Sequence, residues 1–214
     1  MNNFLSYRRD IDSVDKQIIT LLQERSAIVH KVKIIKDSNS DKFTLYIKPD
    51  REHQILSYVT NNASGYSNKL FYNCWRGIIS ASNFLEQDLH LLATSQNTQS
   101  DIHQHFGMQK TPTIEHNAQK AFTLMHNNTH HILAFKANDE SVWEILKQQA
   151  DIKVFAETHT VTKEKTLLCG KINVDPSTPA LAITTQSGKF LSKGIYTTHN
   201  FSTTDLGYFY PLVI

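Results

Sequence analysis

Arg25 is a charged residue at a position of the N-terminal sequence where an apolar residue is expected. The positions spaced alternately three and four residues apart around it are Phe4, Tyr7, Ile11, Val14, Ile18, Leu21, Arg25, Ile28, Val32 and Ile35. All of them except Arg25 are apolar or aromatic, which predicts one long helix whose seam packs against other helices. A guanidinium stays charged at ordinary pH, and burying it without a partner is costly. We therefore expect Arg25 to face a protein carboxylate, a water-filled pocket or an anionic ligand.

Two further cations lie on the same predicted helix. Lys36 follows Arg25 by about three helical turns, so the two residues share a face and lie about 16 Å apart along the axis. Helical side chains lean toward the N-terminus, so Lys36 leans back toward Arg25 and leaves a gap that fits a small dianion. Arg8 lies about 100° round the helix from Arg25 and could serve the pocket of another subunit.

The predicted third helix places polar groups on an inward face. Trp75, Ile79, Ser82 and Glu86 follow i, i+4, i+7 and i+11 spacing, which puts all four on one side of a helix. The last two would bring a hydroxyl and a carboxyl group into the interior of a helical bundle. Such groups need partners there, so they are candidate binding residues.

Arg51 and Glu52 lie in the first turn of the predicted second helix, at the level of the polar groups described above. Each polar group taken alone has a structural explanation. Arg25 and Glu86 could form a buried ion pair, Lys36 could be a solvated helix end, and Arg51 with Glu52 could be surface charge. Their joint occurrence on three helices favours a pocket for a small anion.

The first 88 residues are predicted to form three helices. These cover about residues 3–36 up to a turn-forming run at 37–41, Pro49 to a break at 61–65, and Ser67 or Asn68 to about Gln87. The first is long for a globular protein, where about 12 residues is typical. A helix of that length needs partners along its whole length, so a bundle or an intertwined oligomer is implied.

After Asp88, short β-prone runs alternate with helical ones. Strands are predicted at 89–94, 113–116, 132–136, 152–158, 166–172, 180–185, 190–197 and 208–214, and helices at 101–106, 117–127 and 141–149. The predicted fold class is therefore α + α/β. An all-helical, three-helix domain at residues 1–88, in a bundle or an intertwined oligomer, is followed by an α/β domain with a mixed sheet at residues 89–214.

The composition narrows the classes of protein. The chain has 214 residues, 40% hydrophobic and 20% charged, with a net charge of +2, which is too small to indicate a nucleic-acid or membrane partner. No apolar run approaches the roughly 20 residues of a membrane span. Cys74 and Cys169 are the only cysteines, so a cytoplasmic location is the default expectation. All five arginines lie within the first 76 residues, which favours that segment for binding a carboxylate.

Histidines concentrate in the second segment, where nine of the eleven follow residue 89. They include the pairs His103/His105 and His130/His131. No acidic or cysteine cluster with ligand spacing accompanies them, so we interpret them as surface histidines and expect no metal site.

Several stretches combine into a recognisable order. They are Arg8–Asp15 (RRDIDSVD), Leu21–Arg25 (LLQER), Val32 with Lys36, Pro49–Glu52 (PDRE) and Ile78–Ser82 (IISAS). This set, over about residues 4–87, resembles the all-helical (type II) chorismate mutase family. The resemblance implies an intertwined homodimer that converts chorismate to prephenate in aromatic amino-acid (phenylalanine and tyrosine) biosynthesis, a branch of the shikimate pathway.

The resemblance also implies a role for each polar residue. Arg25 would bind a carboxylate of chorismate, and Arg8 would reach a carboxylate in the pocket of the other subunit. Lys36 would donate to the ether oxygen of the breaking bond. Glu52 would hold the ring hydroxyl. Arg51 and Ser82 would line the pocket.

Two positions depart from the family pattern. Lys48 stands near the ring hydroxyl, where the family often has an aspartate. Glu86 stands where many members carry a glutamine that donates to the ether oxygen. A carboxyl group donates only when it is protonated. We therefore expect activity to rise toward mildly acidic pH and the variant Glu86→Gln to flatten that profile.

The implied isomerase reaction is pericyclic, and it needs no nucleophile, metal or other cofactor. Fixed cations and hydrogen-bond donors that hold the dianion in its reactive conformer are sufficient. Two other functions stay open. The chain could be a non-catalytic regulatory or metabolite-binding protein with a mutase fold, or a bifunctional enzyme that also dehydrates prephenate.

The second segment resembles prephenate dehydratases only weakly. Thr166-Leu167-Leu168 stands where dehydratases have Thr-Arg-Phe, and residues 135–141 match their Pro-Ile-Glu-Asn-Ser stretch poorly. The segment has no arginine with which to bind a carboxylate. We interpret it as a degenerate dehydratase-like module with a structural or regulatory role.

Overall fold

The structure is a computed structural model that describes residues 2–39, 44–128, 130–158, 165–172, 180–186, 189–196 and 207–209. The chain divides into two compact units, an N-terminal unit at Met1–Ser40 and a C-terminal unit at Asp41–Ile214. The second and third helices belong to the same unit as the sheet. This division follows contacts, and the domains expected at 1–88 and 89–214 stay a prediction.

The N-terminal unit is one helix, α1, at Asn2–Asn39. The predicted helix is confirmed, and it continues beyond the expected end at residue 36. Local contacts extend its last turns, because Ser38 Oγ donates to Ile34 O at 2.9 Å and Lys33 Nζ lies 3.6 Å from Asp37 Oδ2. The apolar seam stays exposed in the single chain, with Phe4 63% and Ile28 59% accessible.

Two helices open the C-terminal unit, α2 at Pro49–Asn61 and α3 at Asn68–Glu86, as predicted. The backbone N–H groups in the first turn of a helix have no partner within the helix. Proline, which has no N–H, is therefore well suited to this position, as at Pro49. The chain between them turns through Gly65, whose φ of +79° favours glycine. Ser67 then caps α3 by accepting a hydrogen bond from Leu70 N at 3.2 Å.

The rest of the C-terminal unit is an α/β arrangement, which confirms the predicted fold class. Its elements are β1 (His90–Ala93), α4 (Gln96–His105), β2 (Thr113–Ile114), α5 (Ala118–Asn127), β3 (His131–Lys136), α6 (Glu140–Leu146), β4 (Lys153–Thr158), β5 (Thr166–Gly170), β6 (Ala180–Gln186), β7 (Lys189–Tyr196) and β8 (Gly207–Phe209). The predicted strand ends at residue 197 and at residues 210–214 lie outside the described residues. Helix α4 begins earlier than expected, because Ser95 and Thr98 form a capping box.

The strands form one mixed sheet in the order β2-β1-β3-β5-β4-β8-β6-β7. Strands β1, β2 and β3 are parallel, β5 is antiparallel to both β3 and β4, and β6 is antiparallel to β7 and β8. Alternate residues of the central strands point to opposite faces, as the pleat requires. In β3, Leu133 and Phe135 join a core with Trp143, whereas Ile132 and Ala134 join a second core with Phe106.

The segment that precedes α2 is tied to the end of β5. Leu45 N donates to Lys171 O at 2.6 Å, and Leu45 pairs with Ile172 in a parallel bridge. A Cβ at Gly170 would lie 2.5 Å from Leu45 Cδ1, so glycine permits this close approach. These contacts fix the start of α2 against the sheet.

The two cysteines differ in burial, and the described helices were compared with the requirements of a membrane span. Cys74 is exposed, whereas Cys169 is buried in β5, and burial raises the pKa of its thiol far above the ordinary value. Within the described residues, no helix combines the length and apolar character needed to cross a bilayer.

Candidate functional site

The three candidate cations of the N-terminal unit, Arg8, Arg25 and Lys36, lie on one uninterrupted helix. Arg25 and Lys36 are half-buried, and their separation on α1 places them within about 20° of each other round the axis. Arg8 is exposed, and its guanidinium carbon lies 4.3 Å from the centroid of the Phe4 ring. Arg25 and Lys36 therefore share one face of α1, and Arg8 lies on a different face.

Lys48 and Arg51 lie at the exposed start of α2. The backbone O of Lys48 accepts a hydrogen bond from Glu52 N at 3.0 Å, while its side chain makes no capping bond. Arg51 Nη1 donates to Gln54 Oε1 on its own helix at 3.2 Å. Both cations are thus presented to the surface of the C-terminal unit.

Glu52 is turned toward α3. Arg76 Nη1 donates to Glu52 Oε2 at 2.6 Å, and Asn83 Nδ2 donates to Glu52 Oε1 at 2.8 Å. The ion pair is largely buried, with side-chain exposures of 7% for Arg76 and 14% for Glu52. Each carboxylate oxygen keeps capacity for a further donor. The residue expected to hold a ring hydroxyl is therefore oriented and already engaged on both oxygens.

Ser82 and Glu86 are two of the buried polar residues of α3, each with 7% exposure. Their i, i+4 spacing puts them on one face, as predicted. Ser82 Oγ donates to Ile78 O at 2.8 Å. The residue after Glu86 anchors the end of the helix, because Gln87 Oε1 accepts from Tyr46 N at 2.6 Å.

Sequence reasoning missed the residues that surround Glu52. Tyr72, Arg76 and Asn83 form a second polar face on α3, and the last two bind the carboxylate. Burial raises the pKa of Tyr72 above its ordinary 10.0, although the nearby Arg76 acts in the opposite direction. Arg76 interrupts an apolar helix just as Arg25 does, and that signal could have identified it.

A second buried polar group lies in the sheet region and includes Thr166. Thr166 Oγ1 donates to Asp101 Oδ2 at 2.5 Å, and Lys136 Nζ donates to Thr166 Oγ1 at 3.0 Å and to Asp101 Oδ2 at 3.1 Å. The neighbouring Leu167, which stands in place of the dehydratase arginine, belongs to the apolar core. The three polar side chains satisfy one another, which suits a structural role.

The histidines are distributed over the C-terminal unit. His90 and His131 stack with ring centroids 5.0 Å apart, and both are half-buried, so this pair is less exposed than the surface histidines we expected. Among the residues that the structure describes, no group of three or more histidine, cysteine, aspartate or glutamate residues could hold a metal ion.

Comparison with known families gives one match. The family model described as chorismate mutase type II matches residues 7–87, which contain every candidate site residue from Arg8 to Glu86. The match covers a chorismate mutase domain in less than half of the chain. No curated protein and no solved structure matches the chain. The dehydratase-like interpretation of the second segment finds no support in these comparisons.

Proposed function

We propose that the protein is a chorismate mutase that rearranges chorismate to prephenate as a homodimer. The observation that carries the proposal is the chorismate mutase match at residues 7–87, a span that contains all the polar residues proposed for the site. Ser82 and Glu86 support it from the structure, because a hydroxyl and a carboxyl group are buried together on one face of α3.

The residues divide the work of a reaction that needs binding and electrostatics only. Arg25, with Arg8 from the second subunit, binds the two carboxylates and holds the substrate in its compact conformer. Lys36 and a protonated Glu86 donate to the ether oxygen as its charge builds in the transition state. Glu52 accepts from the ring hydroxyl, and its contact with Arg76 orients the carboxyl group that accepts.

The homodimer is supported by the exposed seam of α1. Its heptad residues stay accessible in the single chain, for example Tyr7 63%, Ile11 60% and Leu21 62%. Helical heptads of this kind bury their seam against another helix, and a second copy supplies one of identical pattern. In such a dimer, Arg8 would reach the pocket of the other subunit.

A non-catalytic metabolite-binding protein with a mutase fold is the second candidate. The specific observation in its favour is that both oxygens of Glu52 are engaged by Arg76 and Asn83. If this engagement keeps Glu52 away from a ring hydroxyl, the domain would bind an anion without accelerating the rearrangement.

Incubation of the pure protein with chorismate separates the candidates. Loss of chorismate without phenylpyruvate supports the mutase, no loss supports the binding protein, and phenylpyruvate indicates an additional dehydratase activity. We expect Arg25→Ala to lower kcat/KM by about 10²–10³-fold, because a fixed charge that acts on the bound dianion is removed.

The matched control is Arg9→Ala on the same helix. Arg9 is exposed and donates only locally, from Nε to Leu5 O at 3.4 Å. Circular dichroism should show both variants folded. Full turnover in Arg25→Ala, or an equal loss in Arg9→Ala, would remove the assignment of this site.

A further inference from the structure

Gln87 binds the backbone of the segment that leads into α2. The residue is 6% exposed, its Oε1 accepts from Tyr46 N at 2.6 Å, and its Nε2 donates to Thr44 O at 3.0 Å. A side-chain amide offers one accepting and one donating group, so a single residue satisfies two backbone groups of one segment. Leaving such groups unpaired in the interior is costly. The two hydrogen bonds therefore fix segment 44–47 against the end of α3.

The opposite edge of this segment is held by the residues that follow β5. Leu45 N donates to Lys171 O at 2.6 Å, and Leu45 pairs with Ile172 in a parallel bridge. Successive residues of a paired segment direct their backbone groups to opposite edges, so the end of β5 binds one edge and Gln87 binds the other. Leu45 and Ile47 are each 2% exposed. The segment is thus buried and held from both edges.

The position of the Glu52 backbone depends on this segment. Lys48 alone separates Ile47 from Pro49, the first residue of α2, and Lys48 O accepts from Glu52 N at 3.0 Å. A displacement of the segment is therefore passed directly to Glu52. The side chain of Glu52 is held separately, because Asn83 Nδ2 donates to Glu52 Oε1 at 2.8 Å.

The end of α3 holds Glu52 at two places. Asn83 and Gln87 share one face by their i, i+4 spacing, and Gln87 N donates to Asn83 O at 3.1 Å. Gln87 is the C-cap residue, and its extended backbone, with φ −143° and ψ 150°, ends the helix. Asn83 binds the carboxyl group of Glu52, whereas Gln87 fixes its backbone through segment 44–47. A substitution of Gln87 therefore releases the backbone contact and leaves the carboxyl contact in place.

We propose that Gln87 is a positioning residue of the proposed mutase site and that it acts through Glu52. It sets where the backbone of Glu52 lies relative to α3, the helix that carries Ser82 and Glu86. The inference rests on the proposed function of these residues. It also gives the sheet a part in that function, because the end of β5 holds the other edge of the same segment.

The test compares Gln87→Met with Gln99→Met in the full-length protein. Methionine has a volume similar to that of glutamine but lacks the amide group. We expect Gln87→Met to lower kcat/KM for chorismate by about tenfold to 10²-fold, because small displacements of a group that contacts the substrate are costly. Gln99 also donates from a part-buried amide to a backbone oxygen, Pro112 O at 2.8 Å, but it lies on α4. Gln99→Met should therefore keep the wild-type kinetics.

A double-mutant cycle separates positioning from stability. Glu52→Gln removes the carboxylate that Gln87 is proposed to place, so adding Gln87→Met to this variant should lower kcat/KM by a further factor of about two or less. A purely structural role of Gln87 predicts the same loss in both backgrounds. Thermal unfolding followed by circular dichroism sets an assay temperature at which every variant is folded.

Amide hydrogen exchange provides a readout that needs no turnover. We expect the Glu52 N–H, which donates to Lys48 O, to exchange faster in Gln87→Met, while the Leu70 N–H at the start of α3 keeps its wild-type rate. If Gln87→Met does not fold, Gln87→Asn takes its place. Asparagine keeps the amide on a shorter side chain that cannot hold both backbone groups at the observed distances, so the same changes are expected at smaller size.

The outcomes separate this inference from the proposed function. Absence of chorismate turnover in the wild type would overturn the proposed function, and exchange would still show whether Gln87 fixes the backbone of Glu52. With turnover in the wild type, an unchanged kcat/KM in Gln87→Met, or equal losses in both backgrounds of the cycle, would overturn the positioning role alone. An unchanged exchange rate of the Glu52 N–H would overturn that role whatever the turnover.

Discussion

Helix α1 exposes its apolar residues, whereas the C-terminal unit buries its own. On α1, Ile18 is 49% and Ile35 61% accessible, while in the sheet region Trp143 is 1% and Phe135 0% accessible. An isolated helix gains little stability from propensity alone, and the proposed dimer would supply packing for the exposed seam of α1. The C-terminal unit has two apolar cores, one on each face of its sheet. The comparison teaches that three of the cations proposed to bind substrate, Arg8, Arg25 and Lys36, lie on the helix whose apolar seam is exposed.

The strongest way to break this contrast is to place a charge in the seam. Ile18→Lys should convert the proposed dimer to a monomer, because the substitution recurs in both copies and each lysine would have to be desolvated. We expect dimer affinity and chorismate turnover to fall by about 10³-fold or more, measured by light scattering and by substrate loss.

Gln17→Lys is the matched control for this variant. It introduces the same side chain one residue earlier, outside the heptad seam, and should leave mass and turnover as in the wild type. A dimer that survives Ile18→Lys would show that the seam of α1 is not the interface.

The second prediction tests whether the C-terminal unit is held by its own core. Trp143→Ala removes the largest fully buried side chain and the hydrogen bond from its Nε1 to Ala137 O at 2.8 Å. We expect the free energy of unfolding to fall by about 3–5 kcal/mol in chemical denaturation. Tyr58→Ala, at a position 70% exposed, should change it by less than about 0.5 kcal/mol. Equal losses would contradict a C-terminal unit held by the core around Trp143.

The secondary structure was predictable because local signals agreed with the fold. Pro49 and Ser67 stand at the starts of α2 and α3, and the strand runs of β1 to β5 alternate or are wholly apolar as buried strands require. The predicted helix at 101–106 begins too late, because the capping box of Ser95 and Thr98 starts α4 at Gln96. In each of these cases the information lay within a few residues of the element.

The surroundings of Glu52 were not predictable in the same way. The contacts of Glu52 with Arg76 and Asn83 join positions 24 and 31 residues apart, and no periodicity on one helix specifies such a pair. The buried group of Asp101, Lys136 and Thr166 likewise depends on how α4 packs on the sheet. Long-range polar contacts require the tertiary fold, whereas single misplaced charges such as Arg25 can be identified from the sequence.

The third prediction sharpens the role of the polar face on α3. If Glu86 donates to the ether oxygen, only its protonated form contributes, so kcat/KM should rise as the pH falls from neutral toward mildly acidic values. The glutamine of Glu86→Gln donates at every pH, so this variant should flatten the pH profile. Its kcat/KM at neutral pH should be about tenfold higher than that of the wild type. Asn73→Asp, on the exposed side of the same helix, serves as the control for a changed charge. A flat wild-type profile that the variant leaves unaltered would contradict the donor role.

The smallest expected effect concerns the stability of the C-terminal unit in acid. Burial lowers the pKa of His131 below its ordinary 6.5, and the nearby His90, His130 and Lys110 act in the same direction, whereas the hydrogen bond with Asn128 opposes them. Between the lowered value and 6.5, the unfolded chain therefore binds more protons than the folded one. Stability should be complete above about pH 6.5 and decline as the pH falls through that window.

The nearby carboxylate of Asp88 changes its charge at a lower pH than His131 does. The hydrogen bond from Lys110 lowers the pKa of Asp88 below 3.8, so its contribution is lost only in stronger acid. Denaturation of His131→Gln at several pH values should therefore show a shallower decline below pH 6.5 than the wild type, while the exposed control His126→Gln keeps the wild-type slope. If His131→Gln follows the wild-type curve, the acid sensitivity belongs to other groups. In that case, the stacked His90–His131 pair does not make the C-terminal unit more sensitive to acid than α1.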